Sequence, residues 1–325
     1  MLSRESTGVP EAEARSLVHD VDPTAKFATP EDGLLVAETN ADPAAIESRV
    51  AFSRRVGRLI PDGELDDAHV ALLRSGTYRV RVFGKGDGGK EDEAIISSIA
   101  EKVEGKVSLD SPDREVSAFV GDDGKTHMAI TMPGSMRQGW VTRRPRSRAF
   151  FHPSAIFPKL SRALVNLSGS QPGEVFLDPF CGTGSLLIEA SIIGADPVGI
   201  DIARKMVRGA RRNSLKYEQP WLGIIRGDAR RLPIREVRAV ATDIPYGRAS
   251  SSGGVASNEI LRSLVEGAPK VLFKGGKLVV MHPKSLEVGP LAKQGGELRI
   301  EKELEIYIHR TLTRTITVLR REGQA

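Results

Sequence analysis

One cysteine among 325 residues sets the first limit on this chain. Cys181 alone cannot close an intramolecular disulfide, build a cysteine metal cluster or complete the paired cysteines of a zinc deaminase, and no metal is expected. An apolar run of about 18 residues is missing, which excludes a membrane-spanning helix, and so is a signal-peptide pattern; a soluble, cytoplasmic protein is expected. Internal repeats and low-complexity tracts are also absent. What the chain does have is 40% hydrophobic residues, enough for real cores, and a length that accommodates two domains.

The most organised stretch is Asp178-Pro179-Phe180-Cys181-Gly182-Thr183-Gly184-Ser185, between an apolar run at 175–177 and an apolar helix pattern at 186–193. Strand, glycine turn and helix in that order form a nucleotide-type cofactor site. Gly182 and Gly184 lack a Cβ, so backbone can press against a ligand there, with Phe180 and Thr183 alongside. A second strand, Pro197-Val198-Gly199-Ile200, ends in Asp201-Ile202. An acidic residue about 20 positions beyond the glycines is placed to bind ribose hydroxyls. A third strand, at 222–226, leads to Gly227-Asp228-Ala229, where Asp228 is placed to accept a hydrogen bond from an adenine amino group. A single Asp is more often a helix cap or turn residue. Several in this order, each after a strand, argue against that use. Cys181 reads as a small apolar filler beside the ligand, since a nucleophile would need partners that the sequence does not show.

The third glycine of a dinucleotide fingerprint is missing, its position being Leu187. Asp178 would repel a pyrophosphate but suits the ammonium of a methionine moiety. Residues 298–310 and 313–321 alternate as two strands joined by a short turn. A terminal antiparallel hairpin on a parallel sheet is usual for S-adenosylmethionine methyltransferases and not for dehydrogenases. S-adenosyl-L-methionine is therefore the expected cofactor.

Asp243-Ile244-Pro245-Tyr246 follows a buried-strand run at 239–242. This tetrad suits methyl transfer to an exocyclic ring amine, whose lone pair is delocalised into the base. Hydrogen bonds from its N–H groups to Asp243 and to the carbonyl of Ile244 or Pro245 would free that lone pair. Pro245 holds the turn rigid, and Tyr246 offers a face for a flipped base. Asp243, Pro245 and Tyr246 are the catalytic candidates.

The formal charge is +5, unevenly spread. Arg143, Arg144, Arg146 and Arg148, interrupted by Pro145 and Ser147, read as an extended basic linker and a phosphate track, with Arg248 as a further substrate contact or a surface turn arginine. The basic run at 204–216 reads as no more than the solvated face of an outer helix. Ahead of these, residues 34–39 and 78–83 read as strands, 43–50 as a short helix and 91–103 as an amphipathic helix with Ile95, Ile96, Ile99, Ala100 and Val103 on one face. Two more strands, at 115–120 and 126–131, flank the turn Gly121-Asp122-Asp123-Gly124.

Residues 78–131, including Leu109-Asp110-Ser111-Pro112-Asp113-Arg114-Glu115-Val116, resemble a THUMP domain, an RNA-binding module. Phe150-Phe151-His152-Pro153, the stretch from Asp178 to Ala190 and Asp243-Ile244-Pro245-Tyr246-Gly247-Arg248 resemble the archaeal tRNA (guanine-10-N2) methyltransferase family over nearly the whole chain. Ile244 departs from the proline common at that position, and Ala249-Ser250 departs after the Tyr-Gly-Arg step. The resemblance implies an α/β fold: a class I, Rossmann-like methyltransferase domain with a seven-stranded sheet and terminal antiparallel hairpin, preceded by an α+β ferredoxin-like and THUMP region. It implies a ferredoxin-like segment at 1–60, a THUMP domain at 61–134, a basic linker at 135–149 and a methyltransferase domain at 150–325. The implied reaction is methylation of a tRNA guanosine amine by a monomer. The alternatives are an amino-methyltransferase acting on another RNA guanosine or on DNA adenine, and an RNA-binding module with an inactive methyltransferase domain. A thiouridine synthetase, which also carries a THUMP domain, is set aside because no Ser-Gly-Gly-x-Asp pyrophosphatase loop is present.

Overall fold

The structure is a computed structural model that describes every residue other than 4, 7, 85–88, 132–138, 219, 220, 222, 235, 246–256, 310, 311, 324 and 325. The chain divides into two compact units. One comprises Met1–Arg4, Val21–Ser48 and Ser53–Arg137, and the other Glu5–Asp20, Arg49–Phe52 and Gln138–Ala325.

The opening helix α1 (Val9–Val21) therefore belongs largely to the second unit, whereas the sequence reading placed it in a front segment. Its apolar side explains the grouping: Val9 and Ala12 sit in one core with Ala51, Leu164 and Phe176. The buried Glu13 carboxylate accepts hydrogen bonds from the Ala51 and Phe52 N–H groups, both at 2.9 Å, and from Asn166 Nδ2 at 2.7 Å.

In the first unit, β1 (Lys26–Glu31) and β2 (Leu34–Glu38) form an antiparallel pair, followed by α2 (Pro43–Arg49). Next come β3 (Gly57–Ile60), α3 (Asp67–Arg74), β4 (Thr77–Gly84), α4 (Lys90–Val103), β5 (Lys106–Val107), β6 (Arg114–Val120) and β7 (Thr126–Thr131). The five strands make one sheet in the order β3-β7-β6-β4-β5. Ile60, Leu73, Tyr78, Ile99, Val103 and Val116 form its core. Ile96, expected on the buried face of α4, is exposed, so the apolar stripe of that helix is narrower than its sequence suggests. The buried Glu115 is held by Arg55 and, at 2.7 Å, by Arg79.

The second unit continues with α5 (Pro158–Leu167), β8 (Val175–Asp178), α6 (Ser185–Ile192), β9 (Asp196–Asp201), α7 (Arg204–Lys216) and β10 (Gly223–Arg226). Then follow β11 (Val237–Asp243), α8 (Ser257–Gly267), β12 (Leu272–Pro283), α9 (Gly289–Gly295), β13 (Leu298–His309) and β14 (Leu312–Arg321). The sheet order is β10-β9-β8-β11-β12-β14-β13, parallel from β10 to β12 and antiparallel where β14 enters between β12 and β13. The seven-stranded sheet and terminal hairpin are those the sequence predicts.

Strand side chains alternate between faces. Phe176, Ala239, Ala241, Val279, Met281, Ile316 and Val318 join one core, while Leu177, Val240, Leu278, Val280 and Leu319 join the other. Strand order reverses at β8, between β9 and β11. Ligands of open α/β sheets bind beyond the carboxyl ends of strands at such a switch point.

Candidate active site

A cavity of about 410 Å³ opens at that point. Its walls come from the ends of β8, β9, β10 and β11, and they bring together most of the residues expected from sequence. Asp178, Phe180, Gly182, Thr183, Asp201, Ile202, Asp228, Ala229, Asp243 and Pro245 all line it. His152 lines it too, with its Nδ1 2.7 Å from Ser154 Oγ. Tyr246 and Arg248 lie outside the described residues.

Each acid is fixed by its strand end. Asp178, buried, accepts from Thr242 Oγ1 at 2.7 Å and from the Phe180 N–H at 3.1 Å. Burial, with Asp243 and Asp201 nearby, pushes its carboxyl up to about 7. Asp201 accepts from the N–H groups of Gly182 at 3.0 Å and Ala203 at 2.8 Å, and burial raises it as well. Asp228 differs: Arg230 clamps it at 2.6 Å, and those hydrogen bonds hold its carboxyl below the usual range.

Asp243 ends β11 with 16% of its side chain exposed. Arg314 Nη1 donates to its Oδ1 at 2.6 Å. Burial raises the Asp243 carboxyl to about 6, while the guanidinium opposes the rise. Sequence reasoning missed Arg314, which is 71 residues away in the chain. A signal was present: Arg314 has the same strand parity as the buried Ile316 and Val318. The Pro245 carbonyl, a proposed acceptor for substrate, here accepts from Ser257 Oγ at 3.1 Å.

Three sequence-based assignments need correction. Gly184 does not line the cavity; it adopts a left-handed conformation (φ 81°) ahead of α6, and a Cβ there would strike the Trp221 ring. Arg143 is buried and pairs with the buried Glu189 at 2.7 Å, a carboxylate shared with Arg162, and both guanidiniums lie over the Trp140 ring. Arg148 is also buried, and its Nη1 donates to Ser185 Oγ at 2.6 Å in the cavity wall. The stretch is a tight turn with a buried Pro145, not an extended linker. Only Arg144 and Arg146 of that group are exposed.

The walls fit a cationic, partly apolar ligand. Four carboxylates, those of Asp178, Asp201, Asp228 and Asp243, line one cavity, and burial raises the protonation of all but Asp228. Among the described residues nothing lies within 4 Å of a Cβ added to Gly182, so its bare backbone leaves room for a ligand. Thr183 Oγ1 is buried in this wall with no hydrogen-bond partner among the described residues. Cys181 is buried, and burial and the neighbouring Asp178 push its thiol well above the ordinary value, away from the reactive thiolate.

Residues 145–315 match the family described as "UPF0020: RMKL-like, methyltransferase domain". The chain is 31% identical over 335 residues to the tRNA (guanine(10)-N2)-dimethyltransferase of Methanothermobacter thermautotrophicus, covering 99% of this chain and 98% of that one. It is 32% identical to the protein of that name from Methanocaldococcus jannaschii, covering 76% and 71% respectively. The crystal structure of TrmN from Thermus thermophilus shares the fold, with a TM-score of 0.51, 17% identity and 98% of each chain covered. The cavity beyond the strand ends, the order of its acids and these sequence likenesses, the first over nearly the full length of both chains, converge: the chain belongs to the tRNA (guanine(10)-N2)-dimethyltransferase family.

Proposed function

We propose that this protein methylates the exocyclic N2 amine of a guanosine in tRNA, at position 10 and through to the dimethylated product, with S-adenosyl-L-methionine as donor. The observation that carries the reading is the convergence of Asp178, Asp201 and Asp243 on one cavity, with Arg314 holding Asp243. Relatives bearing the dimethyltransferase name, one of them matched over nearly its full length, support the substrate and the extent of reaction.

When bound, S-adenosylmethionine supplies a methyl group already activated on a sulfonium. Asp178 would hold its ammonium and Asp201 its ribose hydroxyls, with Gly182, Phe180, Thr183, Ile202, Asp228 and Ala229 around the rest. Asp228 would share its carboxylate between Arg230 and an adenine amine.

The remaining work belongs to Asp243 and its neighbours. Its carboxylate accepts a hydrogen bond from the guanine amine, which returns lone-pair density to nitrogen. Arg314 keeps that carboxylate ionised against burial, so the acceptor exists near neutral pH. Positioning supplies most of the acceleration. The amine becomes acidic only after methylation, so Asp243 takes a proton late. Pro245 stiffens the turn, and Tyr246 is proposed to stack on the ring. Residues 61–134 are proposed as a THUMP RNA-binding module.

Competition tests the substrate class. Methyl transfer from labelled S-adenosylmethionine to an unmodified tRNA transcript should persist in excess duplex DNA and fall with excess tRNA already dimethylated at the target guanosine. Transfer that DNA suppresses and tRNA does not would reject the tRNA reading.

A further inference from the structure

We infer that the outer face of α7 is a phosphodiester-binding surface that seats the RNA backbone beside the cavity. This rests on the RNA-methyltransferase reading above and deepens it by naming where the substrate is held. The α7 sequence, Arg-Lys-Met-Val-Arg-Gly-Ala-Arg-Arg-Asn-Ser-Leu-Lys, contains six cations and no acid. Helical spacing puts Arg204, Arg208, Arg211, Arg212 and Lys216 on one side, and all are exposed. Met206, Val207, Ala210 and Asn213 occupy the opposite, buried side. Among the described residues no carboxylate pairs with any of these cations. Like charges three and four residues apart repel, so the bare helix works against itself and a polyanion would relieve it.

The position of the helix is what turns a charged face into a track. Lys216 Nζ donates to the Ser147 carbonyl, and Tyr217 Oη donates to that of Thr142 at 3.0 Å. These bonds dock the turn bearing the exposed Arg144 and Arg146 at the carboxyl end of α7. Midway, Asn213 binds both backbone groups of Phe150, and the Phe150 ring packs on Gly209, where a Cβ would collide with it. At the amino end Met206 and His152 line the cavity. Residues 147–152 therefore run back along α7 from its basic carboxyl end to the cavity rim. Arg226, exposed, donates to the Ile202 carbonyl at 3.4 Å and adds a cation at that rim. A helix of 13 residues is about 20 Å long, enough to follow several phosphates towards the pocket.

The exposed Arg144 and Arg146 and the separate basic run at 204–216 are thus one surface. A neutral or mixed-charge helix would serve equally well to cover the sheet. The uniform sign, the absence of paired acids and the alignment with the cavity mouth point to a strand of phosphates.

The test is Arg208→Glu with Arg212→Glu, alongside the milder Arg208→Gln with Arg212→Gln. Lys270→Glu with Lys274→Glu is the control, an equal charge change elsewhere on the same unit. Binding to an unmodified tRNA transcript is followed by fluorescence anisotropy from about 50 to 200 mM KCl, with steady-state methylation in parallel. Both α7 variants should raise KM for tRNA, the reversal by roughly tenfold or more, and should lower the slope of log K against log salt by about 1.5. The kcat at saturating tRNA and the affinity for S-adenosylmethionine should stay near wild type, and the control pair should change neither slope nor KM. An unchanged slope and KM in a folded α7 variant, with wild type methylating tRNA, would overturn the surface and leave the activity standing. Loss of slope in a system where wild type binds tRNA without methylating it would keep the surface and overturn the activity. Equal losses in the control pair would reduce the effect to net charge and also overturn the surface.

Discussion

Two sets of arginines in the catalytic unit look alike in the sequence and behave oppositely in the structure. Arg143, Arg162 and Arg314 are buried, and each faces a carboxylate: Glu189 for the first two and Asp243 for the third. Arg204, Arg208, Arg211 and Arg212 are exposed, and among the described residues no carboxylate pairs with them. Burying a guanidinium is costly unless a carboxylate and hydrogen bonds compensate it. The interior arginines therefore lie where a strand or helix delivers an acid, and there they set geometry and protonation. The surface arginines have no such partner and keep their charge for something outside the protein. A run of basic letters says nothing about this choice; the location of the acids decides it.

Breaking the interior pair at Asp243 should have the largest effect. Asp243→Ala is expected to cut kcat roughly 10³-fold while leaving S-adenosylmethionine affinity near wild type; single-turnover methylation with calorimetric binding separates the two. Glu189→Gln strands two buried cations and should cost about 3–5 kcal/mol of stability in urea unfolding. A loss below about 1 kcal/mol would mean that Arg143 and Arg162 reach water after all.

Arg314→Met tests whether the partner tunes charge or only packs. Opposite charge at hydrogen-bond distance lowers a carboxyl by at least about one pH unit. The acidic limb of kcat/KM, expected near pH 6 in wild type from the Asp243 carboxyl, should move upward in the variant. Arg314→Lys should restore it. A merely structural arginine would lower activity equally at every pH.

Asp178 gives a linked prediction. Its folded carboxyl is raised to about 7, so the ligand-free protein holds more protons than the unfolded chain between about 4 and 7. Its contribution to stability is thus present at low pH and lost as pH rises through about 7. A cationic ligand acts in the opposite sense, so S-adenosylmethionine should bind tighter at pH 8 than at pH 6 with proton release. Calorimetry in buffers of different ionisation enthalpy measures both. The smallest effect belongs outside: Arg144→Ala with Arg146→Ala should change stability by no more than about 0.5 kcal/mol, in contrast to any change at Arg143.

Much of the site was legible because it is local. The glycine turn, Asp201, Asp228 and Asp243 each follow a strand with a clear apolar pattern, and a parallel sheet carries those strand ends to one edge. Arg314 was not legible because only the insertion of β14 beside β12 brings it to Asp243. The inward turn of Arg143 and Arg148 was hidden for a similar reason: Glu189 looks like an ordinary polar helix residue until α6 is packed. The glycine pattern suggests a ligand contact at Gly184, yet its left-handed backbone and the Trp221 ring account for it. The placement of α1 depended on Glu13 meeting backbone N–H groups nearly 40 residues on, which no local pattern announces.

The most direct measurement is nucleoside analysis of an unmodified tRNA transcript after incubation with the enzyme and isotopically labelled S-adenosylmethionine. The account predicts label in N2-methylguanosine that converts to N2,N2-dimethylguanosine at a single position, and its loss with Asp243→Ala. Label on a ring nitrogen, on adenosine or on the protein, or undiminished transfer by the Asp243 variant, would contradict it.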